Sequence, residues 1–146
     1  MNKIYIGSDH AGVELLEYVR KYLIENGYEV DITKIEGDSV DYPDVAKELC
    51  RKVINNNSRG IAICGTGIGM SIASNKVKGI RASICYDEFT AEMARKHNNL
   101  NMLCLGARTS IGKDFDKVKA IIHIYLNTDF EGGRHQKRID KLEMEK

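Results

Sequence analysis

Strand patterns and helix patterns alternate along the 146-residue chain, and that alternation predicts an α/β protein of three layers, with a parallel sheet of about five strands. Two further observations support the class. A short apolar run, Ile61–Cys64, breaks into three alternating glycines that open a helix, the strand–loop–helix unit found where parallel sheets hold anions. The length suits a single domain, residues 1–146, able to bury about 70% of its unfolded surface.

The elements follow in order. Lys3–Gly7 reads as the first strand, and a helix from about Ala11 to Glu25 places Leu16, Val19 and Leu23 on one face before Asn26-Gly27 stops it. Tyr28–Ile32 is a weaker strand, and Thr33–Tyr42 a polar loop. Pro43 suits the first turn of a helix carrying Val45, Leu49 and Val53, which ends in the breaker Asn55-Asn-Asn-Ser-Arg-Gly60. After the central strand, a short helix begins near Met70. A strand at Arg81–Cys85, a helix from about Asp87 to His97, a strand at Asn101–Leu105 and a helix near Lys113–Leu126 complete the pattern. This spacing implies βαβ units with right-handed crossovers.

Composition narrows the function. Lysine and arginine number 22 against 21 aspartates and glutamates, so a net charge of +1 offers no general attraction to nucleic acid or membrane. No apolar segment is long enough to span a bilayer or act as a signal peptide, and the expected location is cytoplasmic. Cys50, Cys64, Cys85 and Cys104 form no Cys-x-x-Cys pair, which argues against a zinc site or a redox motif.

In open parallel sheets ligands bind beyond the carboxyl ends of the strands. That rule makes neighbours of Ser8-Asp9-His10, Cys64–Gly69 and Gly106-Ala107-Arg108. Gly65, Gly67 and Gly69 let several N–H groups converge on one small anion, and the next helix adds the positive end of its dipole. Cys64, at the strand end, becomes a candidate proton acceptor beside that anion site. Competing readings are a buried apolar cysteine, or a dinucleotide loop with Asp87 as the ribose-binding acid. Asp9 and His10 offer proton transfer, although Asp9 also suits a helix cap. His97 ends a helix that runs back from the ligand end, roughly 15 Å away along its axis. A catalytic His97 therefore has to serve a neighbouring subunit's site, which makes a dimer part of the mechanism. In the tail, Arg134 and Arg138 share a face if helical, with His135 nearby. They suit a phosphate, or else a solvated face paired with Glu131, Asp140 or Glu143. His123, within an apolar helix, reads as structural.

Taken together, Gly-Ser-Asp-His-Ala-Gly (7–12), Asp-Tyr-Pro-Asp (41–44), Ile-Cys-Gly-Thr-Gly-Ile-Gly (63–69), Ala-Ser-Asn-Lys (73–76), Gly-Ile-Arg-Ala (79–82), Arg-Lys-His-Asn (95–98), Leu-Gly-Ala-Arg (105–108) and Glu-Gly-Gly-Arg-His (131–135) closely resemble the ribose-5-phosphate isomerase B family over nearly the whole chain. The resemblance implies a Rossmann-like α/β/α sandwich of strand order 2-1-3-5-4. It also implies a homodimer, sometimes paired into a tetramer, with shared active sites completed by residues 130–146. The implied reaction interconverts ribose 5-phosphate and ribulose 5-phosphate through an enediolate, a step of the non-oxidative pentose phosphate pathway, without metal or organic cofactor.

By the same resemblance Asp9 and His97 open the sugar ring and Cys64 moves the proton. The N–H groups of Gly65, Thr66, Gly67, Ile68 and Gly69 stabilise the enediolate, and the Thr66 hydroxyl and Asn98 hold substrate oxygens. His10, Arg108, Arg134 and Arg138 match phosphate-binding positions. One branch of the family carries a glutamate base where this chain has Met70, which cannot abstract a proton, so the base falls to Cys64. Residues 141–146 match no motif and are expected to pack on the partner or fray. The remaining alternatives are an isomerase of allose or galactose 6-phosphate and a non-catalytic sugar-phosphate-binding module.

Overall fold

The structure is a computed structural model that describes residues 2–35, 37 and 40–144. Five parallel strands, β1 (Lys3–Ser8), β2 (Glu29–Thr33), β3 (Arg59–Cys64), β4 (Ala82–Ile84) and β5 (Met102–Gly106), form one sheet in the order β2-β1-β3-β5-β4. Six helices connect and extend them: α1 (Val13–Glu25), α2 (Tyr42–Asn55), α3 (Ile68–Asn75), α4 (Glu88–Asn98), α5 (Phe115–Asn127) and α6 (Arg134–Glu143).

The alternation of side chains along each strand divides the core in two. On one face Ile4, Ile6, Ile61, Ile63, Leu103 and Leu105 pack with Leu15, Val19 and Leu23 of α1, Ala91 of α4, and Val118, Ile121, Ile122 and Tyr125 of α5. On the other, Tyr5, Ala62, Cys64, Met102 and Cys104 meet Val45, Leu49 and Val53 of α2 and Met70 of α3. Both faces of the sheet are covered, which is why β3 and β5 read as unbroken apolar runs.

Several boundaries depart from the sequence reading. A 3₁₀ turn, His10–Gly12, precedes α1, so the regular helix starts at Val13 instead of Ala11. Thr33 ends β2 and Tyr42 begins α2, shortening the expected loop; residues 36, 38 and 39 within it lie outside the described residues. β3 starts at Arg59, inside the expected breaker, because Arg59 and Gly60 pair with Ile4 and Tyr5 of β1. Packing favours Gly60 there, since a Cβ would stand 2.7 Å from the Met102 methyl carbon and 2.9 Å from a Val53 methyl, so those side chains would have to shift. β4, at the sheet edge, keeps only three residues of the five expected.

Candidate active site

At the carboxyl end of the sheet, the ends of β1, β3 and β5 are stitched together. The backbone N–H of Asp9 donates to Ile63 O (3.2 Å), that of Ala107 to Cys64 O (2.8 Å), and that of Arg108 to Gly65 O (2.9 Å). These bonds bring Asp9, His10, Cys64–Gly69 and Arg108 to one edge, as the strand-end rule requires.

Within that edge the glycine loop has a specific shape. Gly67 adopts φ +82°, a left-handed conformation that glycine accepts without strain and that leads the chain into α3, and its N–H donates to Cys64 Sγ at 3.2 Å. A thiolate accepts such a bond better than a thiol does. Ile68 N–H donates to Thr66 Oγ1 (3.2 Å), which starts α3 two residues before the expected Met70 and leaves the Thr66 hydroxyl proton free to donate elsewhere. The loop therefore spends two of its five N–H groups internally, a detail the expectation of five converging donors lacked. The Arg108 side chain lies over Gly65, where a Cβ would sit 3.5 Å from its guanidinium. His10 and Thr66 are exposed; Cys64 is 5% exposed, and Met70 is fully buried in the core.

Two expectations resolve in detail. The Asp9 carboxylate does cap the turn that follows it, accepting from Ala11 N–H at 3.0 Å through one oxygen. Asp87, the candidate ribose ligand of the dinucleotide reading, instead caps α4, accepting from Thr90 N–H at 2.7 Å. The cysteines also separate. Burial pushes the thiols of Cys50 and Cys85 up, Cys85 to about 12, and that of Cys104 well up.

The remaining predicted residues lie at the opposite end of the sheet. α4 runs back along the strands, and its last turn meets the amino ends of β4 and β5: Arg81 Nε donates to Asn98 O (3.1 Å), and Arg81 N–H to Asn101 Oδ1 (2.7 Å). Here the His97 ring stacks on His135, with centroids 4.3 Å apart. Glu131 Oε1 lies 3.7 Å from His97 Nε2 and 3.4 Å from His135 Nε2. Burial, then the charges of His97 and Arg134, push the His135 imidazole below its ordinary value. Asn98 is exposed, as are Arg134 and Arg138 on α6, whose guanidiniums form no ion pair among the described residues.

Arg95 holds this corner together. Its buried guanidinium donates to Thr128 O (3.0 Å), Asn99 Oδ1 (2.9 Å) and Leu100 O (2.7 Å), and burial followed by the charge of Arg59 pulls its pKa down to about 10. The tail is tied to its own chain as well. Glu143 accepts from Gly79 N–H (3.2 Å) and pairs with Arg81 (3.1 Å), so the expectation that residues from 141 onward only fray or pack on a partner fails for the described part. Residues 145 and 146 lie outside the described residues. His123 is exposed on α5, beside Asn127, and takes no part in the core. A cavity of about 720 Å³ lies at this same end, lined by Asn75, Arg81, Ser83, Asn98, Leu142 and Glu143 among others, and Cys64 does not line it.

One chain thus carries two half-sets at opposite ends of the sheet. Asp9, His10, Cys64, the glycine loop and Arg108 form one; His97, Asn98, Arg134 and Arg138 form the other. Comparison with known proteins now bears on what they do together. The family model described as Ribose/Galactose Isomerase matches residues 4–142.

The chain belongs to the ribose/galactose isomerase family.

Among members of that family, ribose-5-phosphate isomerase B of Escherichia coli is 39% identical over 97% of this chain and 95% of its own. D-erythrulose-4-phosphate isomerase of Pectobacterium atrosepticum is 41% identical over 97% of this chain and 93% of its own. The solved ribose 5-phosphate isomerase of Thermotoga maritima superimposes with a TM-score of 0.91 at 44% identity, covering 97% of each chain. The five-stranded sheet with helices on both faces is therefore the family fold, and the chain is an isomerase. Among the described residues, no helix is long and apolar enough to cross a membrane.

The sequence reading missed Glu131 as a partner of His97 and His135. The pairing arises because Glu131 N–H donates to Lys96 O (3.1 Å), drawing the tail onto the end of α4. The available signal was the Glu131/His135 spacing of four residues, although the two are brought together here by the Gly132-Gly133 turn that precedes α6 and not by a helical turn.

Proposed function

We propose that this protein interconverts ribose 5-phosphate and ribulose 5-phosphate through an enediolate, in an active site built from the two half-sets of two chains. The observation that carries the reading is the Cys64 thiol, held by the Gly67 N–H in a glycine loop beside Asp9 and Arg108, in a member of an isomerase family. Pairing between copies is supported by the separation of the half-sets. The strands between them span about 3.3 Å per residue, and no side chain bridges a sheet of that depth.

In this reading His10 and Arg108 of one chain, with Arg134 and Arg138 of the partner subunit, hold the phosphate, since planar guanidiniums bind its oxygens in pairs. The partner's His97 and Asp9 move the protons that open the sugar ring, one leaving the anomeric hydroxyl and one reaching the ring oxygen. Cys64 then removes the proton on C2, giving the enediolate, and returns it to C1 as the O2 proton passes to O1. The N–H groups of Gly65, Thr66 and Gly69 carry the developing oxygen charge, with the Thr66 hydroxyl and Asn98 holding the hydroxyls. Losing one such donor commonly costs about 10²–10³ in rate. The buried Met70 leaves the loop no alternative base.

The pentose is favoured by the names of the relatives in E. coli and T. maritima, while the Pectobacterium relative acts on a shorter sugar phosphate. The test is formation of ribulose 5-phosphate from ribose 5-phosphate by purified protein with chelator present, and allose 6-phosphate run in parallel. Turnover of the pentose supports the reading. Turnover of the hexose alone keeps the chemistry and replaces the substrate, and turnover of neither overturns the pentose reading and puts a sugar-phosphate-binding module first.

A further inference from the structure

The three side chains brought together at the end of α4 have a second chemistry. The geometry points to a transition-metal site formed by His97 Nε2, Glu131 and His135 Nε2, which takes a zinc-class dication and, when filled, withdraws His97 from proton transfer. Three observations carry it.

The ligand atoms, two imidazole nitrogens and one carboxylate oxygen, lie within 4.8 Å of one another. The centre of an equilateral triangle of that edge is about 2.8 Å from each corner, so ordinary zinc distances of about 2.0–2.2 Å need roughly 0.7 Å of side-chain movement, together with a turn of the two stacked rings out of their 15° near-parallel arrangement so that both in-plane lone pairs meet the ion. Second, His135 is 95% buried by its 5% exposure, and its Nε2 has no hydrogen-bond partner. Glu131 Oε1 is only 3.4 Å away but is misaligned for a hydrogen bond. A buried nitrogen that no protein group satisfies, aimed beside a carboxylate, is a vacant ligand atom.

Third, the open side faces solvent. The His97 and Glu131 side chains are 38% and 49% exposed, so an ion can enter and keep water or a further ligand in its remaining positions. Arg134 and Arg138 stand on the same helix as His135. Those arginines repel a dication, and Glu131 is the group that offsets them. Two imidazoles and a carboxylate select zinc, cobalt, nickel or copper over magnesium or calcium.

The site stands on these contacts alone, whereas inhibition rests on the role proposed for His97. The test separates the two. Protein stripped with chelator and dialysed is titrated with Co²⁺ and followed by its visible absorption, and then Zn²⁺ is added to displace it. The same titration is made on Glu131→Gln and His135→Gln, with circular dichroism to establish that each is folded. We expect one Co²⁺ per chain. Outer-shell changes already cost about 10–100-fold in metal affinity, so each variant should bind at least about tenfold more weakly.

With ribose 5-phosphate as substrate, Zn²⁺ should inhibit the untreated enzyme, chelator should restore it, and Glu131→Gln should need at least about tenfold more Zn²⁺ for the same inhibition. Absence of stoichiometric binding, or binding unchanged in both variants, overturns the site. A thiolate-to-cobalt charge-transfer band in the near ultraviolet places the ion on a cysteine and overturns it equally. Stoichiometric binding at the site without inhibition overturns the withdrawal of His97 and counts against its part in ring opening.

Discussion

Gly106 ends β5 where that strand touches the glycine loop, and replacing it with alanine perturbs the loop by a predictable distance. An alanine Cβ at this position would stand 2.5 Å from both the carbonyl carbon and the oxygen of Thr66, where ordinary contact begins at 3.4 Å. Those are backbone atoms, so no side chain can rotate away, and the loop has to retreat by roughly 0.9 Å. A misplacement of about 1 Å at a reacting centre commonly costs about 10² in rate, and overpacking of this kind costs about 1–3 kcal/mol in stability. We therefore expect Gly106→Ala to fold, to unfold at lower urea concentration, and to lose about two orders of magnitude in kcat. Gly27→Ala is the control. Gly27 has φ +88° with nothing within 4 Å of the added Cβ, so it should lose about 1–2 kcal/mol to backbone strain and no activity. Steady-state ribulose 5-phosphate formation and urea melts on both variants decide the matter. A folded Gly106→Ala enzyme with kcat within about threefold of the unaltered enzyme would refute the argument that the loop's position sets the rate.

Three further outcomes are expected. Cys64→Ala should lower kcat by about 10²–10⁴, the usual worth of a positioned base, while phosphate still binds with nearly unchanged affinity in calorimetry; retained turnover would remove Cys64 from the mechanism. Iodoacetamide should label Cys64 before the other three cysteines, because burial holds the thiols of Cys50, Cys85 and Cys104 protonated, and peptide mass mapping with and without ribose 5-phosphate reads both the order and the protection by substrate. Arg95→Met should cost about 1–3 kcal/mol in urea melts, since the donors to Leu100 O and Thr128 O are lost while a desolvated charge is relieved; it should also raise KM through looser placement of the segment that leads from Thr128 into α6.

The fold was legible because its period is strong. Apolar runs at Ile61–Cys64 and Met102–Leu105 and the helical spacing of Val45, Leu49 and Val53 leave one architecture, and the sheet order agrees with the one implied by resemblance. The errors occur where tertiary contact outweighs local signal. Gly60 looks like a breaker and is a strand residue, because Met102 and Val53 close over it.

The carboxyl-end half of the site was legible as well, since β1, β3 and β5 deliver Asp9, Cys64 and Arg108 to one edge by topology alone. The other half was legible only in its residue types. Nothing along the chain shows that α6 folds onto the end of α4, because the fastening is made by Glu131 N–H to Lys96 O and by Glu143 to Arg81, contacts with no sequence pattern. The stacked pair of His97 and His135 follows from that fastening and could not be read without it.

The central claim is that each active site draws on two chains, and subunit mixing tests it directly. Cys64→Ala and His97→Asn chains, each expected to be inactive alone, are unfolded, mixed in equal amounts and refolded together. If sites are shared within a twofold pair, half of the pairs are mixed and each mixed pair has one intact site, so about a quarter of the unaltered activity should return. If all the catalytic groups served their own chain, every site in the mixture would lack either Cys64 or His97, and no activity would return.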